Sequence, residues 1–499
     1  MLATTRACTL DGISARPVRV EVDVHRGLPN FSIVGLPDAA VREARERVRA
    51  ALVNSGFDFP LRRVVVNLAP ASLRKAGPGM DLAIAAALLA AAGEIAWEGG
   101  GRLALVGELS LDGSTRPVQG ALAMAEAARE AGAEAILVPA ENGPEAALAY
   151  GIRVVPIEAL SQLPALLAGE SHPSPPEPMP LQLATDPSGP DLADLRGQPE
   201  LRHALEVAAA GQHSLLLIGP PGAGKSLAVS RLPSILPPLD VPEALEVTRI
   251  ASATGRLQSS TSGGRPLRAP HHTISAAGLV GGGSPSRPGE ATLAHRGILF
   301  LDELPEFRRD ALEALRAPLE TAKVAVARAG NQITLPGDFL LTAAANPCPC
   351  GRGEADPDCS CSPYDLQRYQ AKLTGALADR IEIRTSVRQP STAEIGGSPG
   401  ESSELVRERV ISARERQHLR LGQGRCNAHL TPAEARACPL SSSAADVLAD
   451  LYARQRLSGD AHDRTLRLAQ TLADLDGVDV IGEDQMRQAL RMRRPHPAA

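Results

Sequence analysis

The spacing of apolar residues near the N-terminus predicts strands and a helix within one domain. Residues 18–24 alternate apolar and polar side chains at period two, which is typical of a half-buried strand. Residues 39–54 carry apolar side chains at helical spacing, and residues 64–68 form a second strand-like run. We therefore predict a mixed α/β domain over residues 1–168.

A proline-rich stretch separates this domain from the rest of the chain. Residues 171–190 contain seven prolines and few side chains that could form a core. This composition indicates an interdomain linker, which we place at 169–190. Beyond it, short apolar runs alternate with helical patterns, as a parallel sheet with crossover helices requires. The pattern predicts an α/β domain over residues 191–388.

The last part of the chain has a helical pattern. From about Gln389 onward strand signals are few, and residues 405–419 and 442–455 carry apolar side chains at helical spacing. We predict a C-terminal helical lid over residues 389–499.

The segment after the apolar run 215–218 matches a phosphate-binding loop. A buried strand that turns through glycines into a helix leaves a row of backbone N–H groups pointing into one concavity, where phosphate oxygens bind. The lysine of the motif reaches the terminal phosphates, and its serine hydroxyl holds magnesium. The match predicts nucleoside triphosphate binding rather than an ordinary Gly/Pro-rich turn. The motif consists of Gly219, Pro220, Pro221, Gly222, Ala223, Gly224, Lys225 and Ser226.

Two carboxylates end a later apolar strand, residues 297–301. In a parallel sheet both side chains emerge at the carboxyl edge, beside the phosphates. We predict that Asp302 holds magnesium through water and that Glu303 polarises the attacking water. Alone, two acids after a strand are often structural, so the prediction depends on their pairing with the phosphate-binding loop.

Two further polar residues adjoin strands of the same domain. Asn346 follows the apolar run 339–345 and is predicted to orient the attacking water, the alternative being a strand cap. Arg380 precedes a short strand and, facing a neighbouring subunit, is predicted to supply positive charge to the transition state. The alternative for Arg380 is a surface salt bridge with Asp379 or Glu382.

Four cysteines form a C-x-C, eight-residue, C-x-C pattern. Four thiols so close in a loop rich in Gly, Asp and Pro could surround zinc tetrahedrally. The spacing is tighter than the usual C-x(2)-C, so reduced solvent-facing thiols and a redox pair stay open as alternatives. The four residues are Cys348, Cys350, Cys359 and Cys361.

Composition narrows the range of partners. The 499-residue chain has a net charge of −5 and only 2% aromatic residues, so DNA binding would have to come from local loops that follow the backbone. No apolar stretch reaches the roughly 20 residues of a membrane helix, and charges interrupt the first twenty residues. We predict a cytoplasmic protein without a membrane partner, in which structural disulfides are not expected.

The chain resembles AAA+ ATPases of the magnesium-chelatase-like group. The resemblance rests on GPPGAGKS, ILFLDEL, AAANPCPCG and DRIEI, with RPLRAPHHTISAAGLVGGG between the first two. Within that group, GLPDAAVREARERVRAALVNSGFDFP and VNLAPASLRKAGPGMDLAIA resemble the ComM/YifB family. Nearly the whole chain is covered, apart from the linker. The resemblance implies an AAA+ P-loop core, ATP and magnesium, a ring that is usually hexameric, and ATP-driven DNA branch migration in natural transformation and recombination.

The resemblance also assigns residue roles. Arg380 falls where the family carries its trans-acting arginine finger, although Ala376 replaces the usual proline nearby. Residues 191–198 resemble the segment that, in this family, precedes the nucleotide pocket and lines the adenine of the bound nucleotide. Asp460 stands where a second sensor arginine is expected, so either Arg464, one helical turn on, takes over or that sensor function is weakened.

The N-terminal domain is similar to the proteolytic domain of Lon. A Ser–Lys protease needs a hydroxyl beside an amine, but Gly79 occupies the serine position and Leu122 the lysine position. We therefore predict a Lon-like fold without peptidase activity. Ser72 and Lys75 are better interpreted as a solvated face than as substitutes. The similarity rests on GPG at 77–79, GEL at 107–109 and PVQG at 117–120.

Two inserts are candidates for contact with a polymer in the pore of a ring. The first, residues 268–283, contains His271 and His272, which we expect to diverge and to serve a structural or pore-loop role rather than to bind a metal. The second, residues 323–334, alternates around Gly-Asn and predicts a hairpin. The basic residues that would meet DNA phosphates are Lys323, Arg328 and Arg287.

These observations favour a ring ATPase that moves DNA, with single-stranded or branched DNA as its partner. The alternative is a chaperone-like ATPase for metal insertion or protein remodelling, as in the magnesium-chelatase ATPase subunit. The Lon-like domain, absent from that subunit as the resemblance implies, favours the DNA interpretation. A regulatory module with vestigial hydrolysis is disfavoured by the intact phosphate-binding loop, Asp302 and Glu303.

Overall fold

The protein is described by a computed structural model. The described residues are 1–97, 102–183, 189–257, 264–283, 287–328, 331–353, 356–373, 375, 377, 380–455 and 458–493. The chain divides into two compact units. One comprises Met1–Leu181, Ala244–Thr261 and Gly283–Arg287, and the other Gln182–Glu243, Ser262–Gly282 and Pro288–Ala499.

The described part of the first 181 residues contains nine strands and five α-helices. The strands are β1 (Leu2–Asp11), β2 (Ser14–His25), β3 (Asn30–Val34), β4 (Arg63–Ala69), β5 (Leu103–Leu105), β6 (Glu108–Leu109), β7 (Thr115–Arg116), β8 (Ala135–Pro139) and β9 (Arg153–Ile157). The helices are α1 (Ala39–Asn54), α2 (Asp81–Ala92), α3 (Ala121–Glu130), α4 (Gly143–Ala146) and α5 (Leu163–Leu167).

A seven-stranded sheet in the order β3-β4-β2-β1-β5-β8-β9 organises this unit. The alternation of β2 matches its pairing, because Val22 lies opposite Val66 of the antiparallel β4 and both are fully buried. Asp38 caps α1 by accepting a hydrogen bond from the backbone N–H of Val41, 2.9 Å away. The predicted mixed α/β character of the N-terminal region is confirmed.

One expectation about this region is wrong. Ser72 is exposed as expected, but Lys75 is fully buried and its Nζ donates a hydrogen bond to the carbonyl oxygen of Pro70. Burial lowers the pKa of Lys75. Leu122 is fully buried, and a Cβ placed on Gly79 would lie 3.5 Å from Cγ1 of Val118.

The remaining described elements follow in chain order. They are α6 (Pro199–Gly211), β10 (Leu215–Ile218), α7 (Lys225–Ile235), α8 (Val241–Ala253), β11 (Leu267–Arg268), α9 (Ala276–Val280), β12 (Gly281–Gly282), β13 (Arg287–Pro288), α10 (Glu290–Leu293), β14 (Ile298–Leu301), α11 (Arg309–Ala314), α12 (Arg316–Thr321), β15 (Lys323–Arg328), β16 (Asn331–Pro336), β17 (Leu340–Ala345), α13 (Pro363–Leu373), β18 (Ile383–Ser386), α14 (Thr392–Gly396), α15 (Ser403–Leu421), α16 (Pro432–Arg436), α17 (Ser442–Gln455), α18 (Gly459–Leu475) and α19 (Glu483–Arg493).

A five-stranded sheet in the order β11-β14-β17-β10-β18 is the centre of the second unit. All neighbouring strands are parallel, and β10, β14 and β17 are almost entirely buried and, apart from Thr342, apolar. Full burial of each leucine contributes about 1.5–3 kcal/mol. The predicted parallel sheet is confirmed, and it places β17 between the strand before the phosphate-binding loop and the strand before Asp302.

Beyond β18 the regular elements of the described chain are helices, α14 to α19. Val406 and Val410 of α15 and Leu466 and Leu472 of α18 are buried in the same apolar core as β10. The helical character predicted for this part of the chain is therefore present. Its role as a lid stays a prediction.

The predicted hairpin is confirmed. β15 and β16 pair antiparallel, with Val326 opposite Ile333. Lys323 is exposed, whereas the turn at 329–330 and the side chain of Arg328 lie outside the described residues. Within the described ranges, no helix combines the length and apolar character that crossing a bilayer requires.

Candidate functional site

The glycine-rich segment joins β10 to α7, and one lysine holds it together. Gly224 precedes α7 with a φ of 92°, a left-handed conformation that glycine adopts without a side-chain clash. Lys225 begins the helix, and its Nζ donates hydrogen bonds to the carbonyl oxygens of Gly219 (2.6 Å) and Pro220 (2.9 Å). Burial lowers the pKa of Lys225, and the charge of Asp302 opposes that shift. The ammonium is thus held by the loop itself.

Ser226 and Asp302 present two oxygen atoms side by side. The Ser226 hydroxyl donates a hydrogen bond to Oδ2 of Asp302 over 2.9 Å. Hydroxyl and carboxylate oxygens are the hard ligands that magnesium takes, usually through one or two protein groups with water and phosphate completing the octahedron. The pair therefore fits a magnesium ion that accompanies a bound triphosphate.

Asn346 lies next to the lysine because of the strand order. It follows β17, the strand between β10 and β14. Its Oδ1 accepts a hydrogen bond from Nζ of Lys225 over 3.1 Å, and its backbone oxygen accepts one from the hydroxyl of Tyr369, also over 3.1 Å. Burial raises the pKa of that Tyr369 hydroxyl. Asn346 is thereby held through both its side chain and its backbone at the tip of the central strand.

Glu303 turns sharply away from its strand. With φ 55° and ψ 46° it adopts the left-handed conformation that is rare for a residue with a side chain and that recurs at functional sites. Its backbone N–H donates to Oδ1 of Asp302 over 2.9 Å, and its carboxylate is more than half exposed. The turn separates the two acids, so that Asp302 faces Ser226 while Glu303 points elsewhere.

The partner of Glu303 is His272, which sequence analysis did not place at this site. Nδ1 of His272 lies 3.0 Å from Oε2 of Glu303. The expected divergence of the two histidines is also wrong, since the rings of His271 and His272 are 4.1 Å apart between centroids. The pairing of β11 with β14 brings the histidine loop to the acid, but β11 has only two residues and gives too short a pattern to be recognised.

The structure leaves Arg380 apart from these residues. Arg380 precedes β18, and its guanidinium forms an ion pair with Glu320. The structural alternative named Asp379 or Glu382 as its partner. Glu382 instead lies 2.6 Å from Nδ1 of His213, and Asp379 is outside the described residues.

Arg464 and Arg380 line the same cavity of about 650 Å³, whose described lining contains no residue of the phosphate-binding loop. Burial lowers the pKa of Arg380, and the charge of Arg464 lowers it further. Arg464 on α18 is 12% exposed, while Asp460, one turn earlier and 3.8 Å away, is 79% exposed. Arg464, one helical turn after the expected second sensor position, is therefore mostly enclosed in the cavity wall, whereas Asp460 at that position is exposed.

The four cysteines of the double C-x-C pattern are brought together. Their sulfur atoms all lie within 4.8 Å of one another. Cys348 is buried, Cys350 is exposed, and Cys359 and Cys361 are half-buried.

Family models match three successive parts of the chain. Residues 20–142 match subunit ChlI of Mg-chelatase, residues 191–395 match magnesium chelatase, subunit ChlI, and residues 400–493 match the C-terminal part of magnesium chelatase, subunit ChlI.

Curated relatives are similar over almost their whole length. An uncharacterized protein of Mycobacterium tuberculosis is 44% identical over 490 residues, 97% of each chain. The protein YifB of Escherichia coli is 40% identical over 486 residues, and the competence protein ComM of Haemophilus influenzae is 38% identical over 495 residues. Each of these two matches covers 97% of this chain and 95% of the relative.

Proposed function

Because this chain belongs to the ComM/YifB family of magnesium-chelatase-like AAA+ proteins, for which ATPase activity, ATP and magnesium are implied, we propose that it is a ring-forming, ATP-driven motor acting on DNA. The motor would perform branch migration or unwinding of single-stranded or branched DNA in recombination and natural transformation. The observation that carries the ATPase part is the convergence of Lys225, Ser226, Asp302 and Asn346 at one sheet edge.

In this proposal the phosphate-binding loop and Lys225 hold the terminal phosphates. The ammonium exchanges the carbonyl oxygens of Gly219 and Pro220 for phosphate oxygens, which carry more negative charge. Ser226 and Asp302 would hold magnesium, which neutralises charge on the phosphates. The rest of the loop supplies backbone N–H groups at the start of α7.

Glu303 is proposed as the group that polarises the attacking water and Asn346 as the group that orients it. Both follow neighbouring strands, β14 and β17. Because one carboxylate oxygen of Glu303 contacts His272, we assign His272 as a positioning residue that controls when this carboxylate is available.

Arg380 and Arg464 are proposed to act on the nucleotide of the neighbouring subunit. They share a cavity that does not include the phosphate-binding loop of their own chain among its described lining. A hexameric ring would bring such a surface to the adjacent site. A cationic group supplied in trans stabilises charge in phosphoryl transfer.

DNA is proposed to contact the inserts of the ATPase domain. Lys323 is exposed at the start of β15, and Arg328 and Arg287 are proposed on sequence grounds to extend the basic surface. The proposed domains are 1–168, a Lon-like domain without peptidase activity; 169–190, a linker; 191–388, the ATPase core; and 389–499, a helical lid. The similarity to the competence protein ComM of Haemophilus influenzae supports a role in DNA uptake and recombination.

The alternative function is a chaperone-like ATPase that remodels a protein or assists metal insertion. One observation favours it, because all three matched family models carry descriptions of a magnesium-chelatase subunit, the N-terminal segment included. The ATPase proposal does not require zinc. A zinc ion at the four cysteines is a separate proposal that rests on their cluster.

One experiment distinguishes the two functions. ATP hydrolysis by the purified chain is measured alone and with single-stranded, duplex and four-way-junction DNA at equal nucleotide concentration. A DNA motor should be stimulated, and the junction should be resolved in an ATP-dependent strand-exchange assay. Hydrolysis that is unchanged by every DNA, with no strand movement, would contradict the motor and favour the remodelling alternative.

A further inference from the structure

We propose that Cys348, Cys350, Cys359 and Cys361 bind one Zn²⁺ ion, and that this ion holds the loop after Asn346 against the phosphate-binding loop. Zinc binding is independent of the proposed motor. The second part rests on the proposed nucleotide site.

The sulfur geometry suits a single tetrahedral ion. Sγ of Cys348 lies 3.3 Å from that of Cys350 and 3.9 Å from that of Cys359, and Cys350 and Cys359 are 3.6 Å apart. Zinc–sulfur bonds of about 2.3 Å in a tetrahedron separate the sulfurs by about 3.8 Å. A small shift of the exposed Cys350 would bring its two distances to that value, and the distance between Cys348 and Cys359 is already close to it.

Other uses of the four thiols fit less well. A disulfide needs sulfurs about 2.05 Å apart, whereas these three pairs are separated by 3.3–3.9 Å. An iron–sulfur cluster places several atoms between its cysteines and would spread them further. A tetrahedral set of four thiolates around one centre is typical of zinc.

The surrounding backbone supports negatively charged sulfurs. The N–H of Gly353 donates to Sγ of the buried Cys348 over 3.2 Å, and the N–H of Cys350 donates to Sγ of Cys361 over 3.3 Å. Outer hydrogen bonds of this kind orient metal ligands and stabilise their charge. The loop therefore supplies two backbone donors as well as four ligands.

The same loop passes close to the phosphate-binding loop. In the sequence, Gly351 lies between the first C-x-C pair and the second. A Cβ placed on Gly351 would be 2.8 Å from Cδ of Pro221. At the other end, Tyr369 of α13 holds the backbone oxygen of Asn346. A metal that joins the two C-x-C pairs closes the segment between β17 and α13, and so fixes both the Asn346 backbone and the support behind Pro221.

The first test is the metal content of the full-length chain. Elemental analysis by mass spectrometry should find one zinc per chain, and cobalt substitution should give the intense sulfur-to-metal absorption of a tetrahedral thiolate site. Cys350→Ser and Cys359→Ser should lose zinc affinity by at least the roughly 10–100-fold that removal of an outer-shell partner alone causes. Cys438→Ser, a cysteine outside the cluster, should keep the metal.

Several outcomes would overturn the site. Iron with sulfide in place of zinc, four thiols that stay free after supply of zinc and cobalt, or disulfides between the pairs would each contradict it. These measurements need no nucleotide, so a result against zinc would leave the ATPase proposal intact. A zinc-loaded chain without ATPase activity would contradict only the ATPase proposal.

The coupling is tested by hydrogen exchange of zinc-loaded and chelated protein. Faster exchange should follow metal removal both at residues 347–353 and at residues 219–226, together with weaker binding of a fluorescent ATP analogue. Faster exchange at 347–353 alone, with unchanged nucleotide affinity, would overturn the link to the phosphate-binding loop. The zinc would then stabilise only the loop that binds it.

Discussion

His272 and Glu303 lie in contact, with Nδ1 of the histidine 3.0 Å from Oε2 of the glutamate. The histidine belongs to an insert proposed to meet DNA, and the glutamate is the proposed activator of water. The contact therefore connects the proposed DNA-contacting loop to the proposed hydrolytic group, because a movement of the loop would change what the carboxylate can bind.

We expect His272→Ala to raise basal ATP hydrolysis about fivefold, since one net hydrogen bond of about 1 kcal/mol would no longer occupy the Glu303 carboxylate. Stimulation by DNA should shrink accordingly. Steady-state hydrolysis with and without DNA measures both effects.

His271→Ala is the matched control, because Nδ1 of His271 contacts Thr273 rather than the acid. It should leave the basal rate near that of the wild type. A fall in the basal rate of His272→Ala would show that the histidine supports the carboxylate instead of restraining it.

Lys225→Ala and Glu303→Gln should separate binding from turnover. The first removes the counter-charge of the phosphates and should abolish nucleotide binding, whereas the second preserves shape and should bind ATP without hydrolysing it. Binding of a fluorescent ATP analogue and release of phosphate distinguish them. Wild-type hydrolysis by Glu303→Gln would refute its assigned role.

Arg380→Ala should bind ATP nearly normally and lose turnover by a factor on the order of 10³, because a trans-acting arginine acts mainly on transition-state charge. Mixed rings with Glu303→Gln subunits should recover some hydrolysis, since some interfaces then combine an intact glutamate with an intact arginine. Hydrolysis in mixtures that never exceeds the sum of the two variants would indicate a role within one subunit, such as the ion pair with Glu320.

Replacing Lys323 and Arg328 together by alanine should weaken DNA binding about equally for all sequences. Each lost phosphate contact lowers the slope of log K against log salt by about 0.9 on duplex DNA. Salt titrations by fluorescence anisotropy measure the slope. Arg42 and Arg45, both exposed on α1, provide a control pair of equal charge, and an unchanged slope in the hairpin variant would remove β15–β16 from the DNA path.

The sequence predicts that Lys225, Asp302 and Asn346 converge at one sheet edge because two of them follow strands directly. Asp302 and Asn346 each come directly after an apolar strand, and Lys225 follows β10 through the phosphate-binding loop. Parallel strands bring their carboxyl ends to one edge of the sheet, whatever the conformation of the loops. The same reasoning places Arg380 before a strand. Its contact with Glu320 is not predictable in this way, because the two residues are far apart in the sequence and meet only through packing.

Two features could not be predicted because they depend on how irregular segments fold back. Lys75 is a charged residue that follows Arg74, yet the turn after β4 brings the carbonyl oxygen of Pro70 to its amine, and the side chain is buried. His272 reaches Glu303 only because a two-residue strand is the neighbour of β14. In both cases the local pattern carries no information on the partner.

Lys225 is buried against the carbonyl oxygens of its own loop, so its ammonium lost most of its hydration shell when the chain folded. A lysine in water would have to shed that shell at each encounter with a phosphate, which opposes binding. Here the ammonium would exchange backbone carbonyl oxygens for phosphate oxygens. The proposed entry of a nucleotide would therefore require the loop to release the ammonium, and after the nucleotide leaves, the ammonium would return to the backbone carbonyl oxygens instead of to solvent.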